Sequence, residues 1–235
     1  MKIACVWEHN GQDTLLYARD FPGAYARGEN LQTAVSKLPD EIKSYRKWFG
    51  IAGALSEEVD IVQNISTELN VRDADSDVLL VGEETPLSWD EYQNLKYLAL
   101  KSAEDFQMLY DSIPNQNIPL TAPRKTFYGQ IPVTAEEMYQ HTKSVNAYYF
   151  GEIGVDADNG GSILECRERG FAQLEKQEGF LSSAAQEGSY GEYWSVRKVL
   201  RRFLWHDRIH AKAMYRHAIK RFETKDIANP FYFEC

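Results

Sequence analysis

The stretch Leu200-Arg-Arg-Phe-Leu-Trp-His-Asp-Arg-Ile-His-Ala-Lys-Ala-Met-Tyr215 decides both the fold of the C-terminal half and its candidate chemistry. It holds two of the five histidines of the chain, His206 and His210, four positions apart. Because a helix turns about 100° and rises about 1.5 Å per residue, their imidazoles share one face, roughly 6 Å apart, and can converge on one cation. The same spacing is also found in two unrelated histidines that form ordinary hydrogen bonds. A third ligand is therefore needed before the spacing favours a metal site.

The sequence around this stretch predicts four long helices. Ser88 and Thr134 are each followed three residues later by a glutamate, the pattern of a capping box. Each predicted helix carries an apolar stripe, which favours an all-α, up-down four-helix bundle. The predicted helices run from Ser88 to about Ser112, from Thr134 to about Ile153, from Ser162 to about Phe180 and from Tyr193 to about Phe222.

The N-terminal part has a different, strand-like periodicity and predicts a ββαβ α+β unit. Asn10-Gly11 is a hairpin-turn signal between the first two strands, and Asn30 is a candidate N-cap for a helix over 31–49 that Pro39 could kink. The change of pattern predicts an α+β domain over 1–84 and a helical domain over 85–235. The predicted strands are 2–7, 14–21 with a possible extension over 24–28, 59–65 and 78–81.

Composition is that of an ordinary globular protein, with 235 residues, 43% hydrophobic and 26% charged. No run approaches the roughly 18 apolar residues of a membrane span, and the first nine residues lack the apolar core of a signal peptide, so we expect a cytoplasmic protein. The cysteines, Cys5, Cys166 and Cys235, lack the C-x-x-C spacing of a zinc site or a redox motif. Cys166 is expected to pack in a helix rather than act as a nucleophile.

The net charge of −9 argues against nucleic acid as a partner. Residues 1–85 hold eight basic against fifteen acidic residues, which would repel a phosphate backbone. The last predicted helix is basic, but we expect most of these charges to form a solvated face turned away from the histidines. Arg202, one turn before His206, could meet an anionic substrate. The residues expected on the solvated face are Arg197, Arg201, Arg208 and Lys212.

His141, in the second predicted helix of the C-terminal half, is the candidate third ligand. Facing helices of a bundle can bring inward side chains within metal-ligand distance. Three imidazoles with an open fourth position describe a catalytic type of zinc site, and nickel, manganese and iron also accept imidazole. Glu137 could orient a ligand but is more typical of a capping residue, and Tyr149 is expected in the core. His9 and His217 are not expected to be ligands.

Three motifs resemble the DinB-like (DinB/YfiT-like) superfamily of bacterial four-helix bundles: 123–129 (PRKTFYG), 134–141 (TAEEMYQH) and 203–210 (FLWHDRIH). That family places one histidine on its second helix and an H-x-x-x-H pair on its fourth, which matches His141, His206 and His210. The resemblance covers about Ser88 to Phe222. It implies a divalent transition metal, with zinc or nickel foremost, that binds a low-molecular-weight thiol and favours its thiolate.

Residues 17–35 (YARDFPGAYARGENLQTAV), followed by Pro39-Asp-Glu-Ile42, resemble the HicB-like antitoxin fold. In that family a DNA-binding segment usually follows, whereas here the helical region follows. The resemblance therefore implies either an accessory domain for packing, dimerisation or substrate gating, or an antitoxin-type module with a protein partner.

The sequence thus favours a metal-dependent enzyme of the thiol S-transferase or hydrolase type, acting on a thiol or another small molecule. A non-catalytic metal-binding or stress protein and a HicB-type regulator remain the alternatives. We find no phosphate-binding loop and no Ser-His-Asp spacing, and we expect no nucleic acid and no membrane as partners. The sequence does not decide whether the protein forms a homodimer, and it does not identify the residues that would carry out catalysis.

Overall fold

The computed structural model describes residues 2–52, 58–68, 70–71, 78–126, 129–223 and 226–234. The chain divides into two compact units, one formed by Met1–Glu83 with Phe231–Glu234 and the other by Glu84–Pro230. The boundary expected after residue 84 lies one residue from the observed one, but Phe231–Glu234 belong with the N-terminal unit. Cys235 and two residues of the 123–129 motif, Phe127 and Tyr128, lie outside the described residues.

The N-terminal unit is built on a four-stranded mixed sheet. Its strands are β1 (Ile3–His9), β2 (Thr14–Ala18), β3 (Tyr25–Gly28) and β4 (Val59–Ser66), in the order β3-β2-β1-β4. β1 pairs antiparallel with β2 and parallel with β4, and β2 pairs antiparallel with β3. The α+β class is therefore confirmed, and the expected extension of the second strand is a separate strand, β3, after the turn at Phe21-Pro-Gly.

Helix α1 (Leu31–Phe49) has the bounds that the sequence predicted. The side chain of Asn30 accepts a hydrogen bond from the amide of Thr33, and Gly50 ends the helix with φ of 72°, a left-handed conformation that glycine adopts without strain. Pro39 lies inside the helix, which continues on both sides of it.

The predicted strand over 78–81 is wrong. Residues 78–80 form no strand and residues 81–84 form a turn. The side-chain amide of Gln63 donates to the carbonyl of Leu79, at 3.1 Å, and accepts from the amide of Val81, at 2.7 Å. Because a side chain satisfies these backbone groups, the apolar segment needs no neighbouring strand.

The core of the N-terminal unit takes side chains from both faces of the sheet. Cys5 and Val6 of β1 are fully buried although neighbouring residues of a strand point to opposite faces, and the same holds for Leu15 and Leu16 of β2. The returning C-terminal segment packs on α1, where the ring of Phe231 lies 5.5 Å from that of Trp48.

The described residues of the C-terminal unit form four α-helices: α2 (Trp89–Asp111), α3 (Ala135–Gly151), α4 (Ile163–Leu174) and α5 (Val196–Phe222). The first two begin with the predicted capping boxes, Ser88 with Glu91 and Thr134 with Glu137, and the third, whose start at Ser162 was predicted, has a further box of Ser162 with Glu165. Two short hairpins lie between helices, β5 (Lys125–Thr126) with β6 (Gly129–Gln130) and β7 (Gln186–Glu187) with β8 (Tyr193–Trp194).

Two helix bounds differ from the prediction. α4 ends at Leu174, and Phe180 lies in a separate turn of 3₁₀-helix over Phe180–Ser182. α5 begins at Val196 because Ser195 is its N-cap, accepting from the amide of Lys198, while Tyr193 and Trp194 form β8.

Helices α2 and α3 each pack against both α4 and α5. Aromatic side chains fill much of the space between the four helices, including Tyr92 of α2, Phe150 of α3, Phe171 of α4 and Phe203 of α5, all fully buried. Among the described residues, no helix is both long and apolar enough to cross a membrane.

Candidate metal centre

Three histidines from two helices meet in the C-terminal unit. His141 lies in the middle of α3, and His206 and His210 lie one turn apart on α5. Their ring centroids are 5.1 Å (His141 to His206), 4.7 Å (His141 to His210) and 4.4 Å (His206 to His210) apart. The predicted pair and the predicted third ligand are therefore together, although 65 residues separate His141 from His206 in sequence.

The donor atoms of this group fit one metal ion. Each histidine offers a ring nitrogen, and the three nitrogens lie within 4.8 Å of one another. A tetrahedral zinc ion with nitrogens about 2.0–2.1 Å away separates its ligands by about 3.4 Å, so small side-chain rotations would close the site. Neutral imidazoles without a carboxylate suit zinc, nickel, copper and iron better than magnesium or calcium.

The three histidines differ in their exposure to solvent. His206 is buried, His210 is half-buried and His141 is exposed. Burial lowers the pKa of His206 well below its ordinary value, and the facing imidazoles of His210 and His141 lower it further. Burial, followed by His141, also lowers the pKa of His210. Both rings are therefore neutral at neutral pH, the form in which imidazole binds a metal.

One nitrogen of the buried ring has no hydrogen-bond partner. Nδ1 of His206 is shielded from solvent and bonds to no group in the described parts of the chain. A buried polar atom left without a partner costs about 1–3 kcal/mol. This polar atom fits the ligand set of a metal and is otherwise an unexplained cost.

Asp207, the residue after His206, is buried and forms an ion pair with Arg167. Both carboxylate oxygens of Asp207 accept from the guanidinium of Arg167, at 2.5 and 3.1 Å, and both side chains are fully buried. Arg167 also donates to the carbonyl of Ala99, at 3.1 Å, and lies over the ring of Phe203. This pair joins α4 to α5 and does not belong to the histidine group. Sequence reasoning missed it, although Asp207 is the one acidic residue of α5 and could have signalled a buried partner.

The other predicted helpers have structural roles. The carboxylate of Glu137 accepts from the amides of Val133 and Thr134, at 2.8 and 3.1 Å, which confirms its interpretation as a cap. Tyr149 is buried as expected, with its ring 6.0 Å from that of His206. Arg202 is buried rather than open to an anion: it donates to the hydroxyl of Tyr149, at 3.2 Å, and lies over aromatic rings.

The expected solvated face of α5 is wrong for two of its four residues. Arg201 and Arg208 are buried, whereas Arg197 and Lys212 are partly exposed. Charge on a helix predicts exposure only where the helix has an outer face, and α5 is buried on every side from Lys198 to Arg208.

The remaining candidate nucleophiles and histidines lie apart from this group. Cys166 is buried in α4, and burial raises the pKa of its thiol, which opposes a role as a nucleophile. His9 contacts Asn64 at 3.0 Å in the N-terminal unit. His217 lies on α5 but does not join the three clustered histidines.

Comparisons of the chain with known proteins give no match. No protein-family model, no curated protein and no solved structure matches it. The DinB-like and HicB-like resemblances therefore rest on the quoted residues, and the case for a metal rests on the geometry of the three histidines.

Proposed function

We propose that the C-terminal unit is a DinB-like four-helix bundle that binds one divalent transition metal, with zinc or nickel foremost, through His141, His206 and His210. The helix contacts support this assignment, because α2 and α3 each pack against α4 and α5, as the four helices of a bundle do. The placement of one histidine on α3 and two on α5 agrees with the DinB-like pattern of a second-helix histidine and a fourth-helix pair.

One observation carries the proposal: three ring nitrogens from two helices lie within 4.8 Å of one another. The buried Nδ1 of His206, without a hydrogen-bond partner, supports it independently. The case against a purely structural cluster is energetic. Without a ligand the buried Nδ1 of His206 stays unpaired, and a hydrophobic side chain at that position would avoid the cost.

The proposed activity is a metal-dependent transfer or hydrolysis. A metal held by three protein ligands supplies an open coordination position and lowers the pKa of a thiol or water bound there. His141 is exposed, so a small thiol can approach from its side. On the side of His206, the buried ring of Tyr149 lies 6.0 Å from the imidazole, and both side chains are shielded from water.

Metal content tests the binding site. We expect the purified protein, loaded with Zn²⁺ or Ni²⁺ and desalted, to retain about one ion per chain by mass spectrometry. His206→Ala should lose it, because two of the three ligands remain and the shielded one is gone. His217→Ala, on the same helix and outside the cluster, is the matched control and should keep the ion. A wild-type protein that retains neither metal contradicts the proposal.

Turnover separates an enzyme from a non-catalytic metal-binding protein. The number of protein ligands favours the enzyme, since a structural zinc site usually has four and this group has three, with solvent access at His141. We expect the metal-loaded protein to accelerate adduct formation between a low-molecular-weight thiol and an electrophile such as 1-chloro-2,4-dinitrobenzene, and His206→Ala to lose the acceleration. If the protein binds one metal ion per chain but accelerates neither thiol-adduct formation nor ester hydrolysis, it is a non-catalytic metal-binding protein.

For the N-terminal unit we propose an accessory HicB-like domain rather than an antitoxin. The order β2, Phe21-Pro-Gly, β3 ending at Gly28, and α1 supports this proposal, because the HicB-like family shows a strand, Phe-Pro-Gly, a short strand ending in glycine and then a helix. Its acidic sequence opposes binding to DNA. Sedimentation of the full chain tests whether this unit pairs two copies.

A further inference from the structure

A second candidate site lies where α3 ends against the β7–β8 hairpin. An open pocket of about 450 Å³ lies there, within the size range of small-molecule sites. Tyr148 and Glu152 form its wall on the side of α3, and Glu187, Gly188 and Ser189 form its wall on the side of the hairpin. None of the three clustered histidines lines it.

Two hydrogen bonds from the hairpin hold Glu152 in this pocket, one to its backbone carbonyl and one to its carboxylate. The side-chain amide of Gln186 donates to the backbone carbonyl of Glu152, at 2.8 Å, and the amide of Ser189 donates to Oε2, at 2.6 Å. Gly188 permits this approach, because a Cβ there would lie 1.8 Å from Oε2. The hairpin therefore holds the carboxylate in place.

This carboxylate is buried without a counter-charge. Glu152 is 7% exposed and lines the pocket. Ser189 is its one hydrogen-bond donor, and no lysine or arginine forms an ion pair with it, among the described residues. Burial takes most of the water from around Glu152 while its Oε1 stays open to the pocket, an arrangement suited to a cationic ligand.

The rest of the pocket is also suited to a cation. Glu187 adds a second, exposed carboxylate, and no lining residue is basic. The C-terminal end of α3 contributes the negative end of the helix dipole. The ring of Tyr148 is 36% exposed and is held 5.5 Å from Tyr149 and 5.8 Å from Trp194, so it offers a fixed aromatic surface. Aromatic rings attract cations through their faces.

We propose that this pocket binds a primary ammonium group, carried by a small amine or by a lysine side chain. An ammonium presents three donors on one carbon stem. These donors match the free Oε1 of Glu152 and the second carboxylate, while the stem packs along Tyr148. A bare metal ion would need several more oxygen ligands and would gain nothing from the aromatic wall. This binding is independent of the histidine group.

Nuclear magnetic resonance titration of the full chain tests the proposal. The probes are pentane-1,5-diamine and the lysine derivative Nα-acetyl-lysinamide, with pentan-1-ol as the uncharged control. We expect saturable shifts of the backbone amides of Gly188 and Ser189 with both amines. Tighter binding of the diamine indicates a free amine as the ligand, and tighter binding of the lysine derivative indicates a protein lysine.

The matched variants are Glu152→Gln and Glu168→Gln, the second on the exposed surface of α4 and outside the pocket. We expect Glu152→Gln to weaken amine binding about tenfold, since a charge-assisted bond is lost, and Glu168→Gln to leave it unchanged. If Glu152→Gln does not fold, Glu187→Gln should weaken binding about threefold. The absence of saturable shifts, an equal response to pentan-1-ol, or equal affinities in the pocket and control variants overturns the proposal.

Discussion

Two neighbouring residues of α5, His206 and Asp207, are both buried yet lie in opposite electrostatic situations. Asp207 has both oxygens paired with the buried guanidinium of Arg167. His206 has an unpaired nitrogen and faces two further imidazoles. The comparison teaches that burial alone does not identify a functional site. Asp207, with both oxygens paired, serves the fold, whereas the unpaired nitrogen of His206 beside two further imidazoles fits a ligand that the chain itself does not supply.

The largest expected effect comes from breaking the buried ion pair of Asp207 with Arg167. Asp207→Asn leaves the charge of Arg167 buried without its partner, so we expect the free energy of unfolding to fall by about 3–5 kcal/mol. Urea denaturation followed by circular dichroism measures it. Asp158→Asn, which breaks the exposed pair with Arg169, is the control and should cost far less. Equal losses in the two variants would show that the buried pair has no special role.

The second effect concerns the incomplete site. Because a metal binds the folded protein alone, Zn²⁺ at 100 times its dissociation constant should stabilise the wild type by about 2.7 kcal/mol. His206→Leu should abolish this gain while leaving the metal-free protein as stable as the wild type, since it removes an unpaired buried nitrogen. Thermal unfolding with and without Zn²⁺ measures both. A large loss of metal-free stability in His206→Leu would place the ring among the structural groups.

Lys198 is a third buried group of α5. It has partners, as Asp207 does, but they do not offset its burial, so its effect on stability depends on pH. Its ammonium donates to the carbonyl of Tyr193, at 2.9 Å, and contacts Glu192, yet burial lowers the pKa of Lys198 to about 8. Between that value and the ordinary 10.5, the unfolded chain holds a proton that the folded chain lacks, so stability rises with pH across this range. The contribution is unfavourable and constant below pH 8.

We therefore expect Lys198→Met to be more stable than the wild type near pH 7.5, by about 2 kcal/mol, and this advantage to shrink towards pH 10.5. Urea denaturation at several pH values measures it. Lys176→Met removes the same charge from the surface and controls for net charge. An advantage that stays constant over this pH range would contradict the cause assigned to the shift.

The smallest effect separates a cap from a metal helper. Glu137→Ala removes the carboxylate that accepts from Val133 and Thr134, so we expect a loss of about 1 kcal/mol in stability. Metal content should remain that of the wild type. Thr134→Ala, which removes the reciprocal half of the same capping box, should give a similar loss. A selective loss of metal in Glu137→Ala would instead make this carboxylate a partner of the site.

Several features could be predicted from the sequence because they depend on neighbours in the chain. The capping boxes at Ser88 and Thr134 placed the starts of α2 and α3, and Asn30 placed the start of α1. The prediction failed where a group distant in sequence bonds to the backbone. Gln63 satisfies the backbone of Leu79 and Val81, so the apolar run over 78–81 forms no strand.

The sequence by itself determined the local elements and the one-turn spacing of His206 and His210, since helix geometry and end caps depend on residues a few positions apart. Only the tertiary structure decided that His141 meets this pair, that Asp207 finds Arg167, and that Arg201 and Arg208 are buried rather than solvated. These outcomes depend on how helices pack, which brings together groups up to 69 residues apart, His141 and His210, and removes several of them from water. The energy of a charge or an imidazole is set by that loss of water and by its partners, neither of which a linear spacing specifies.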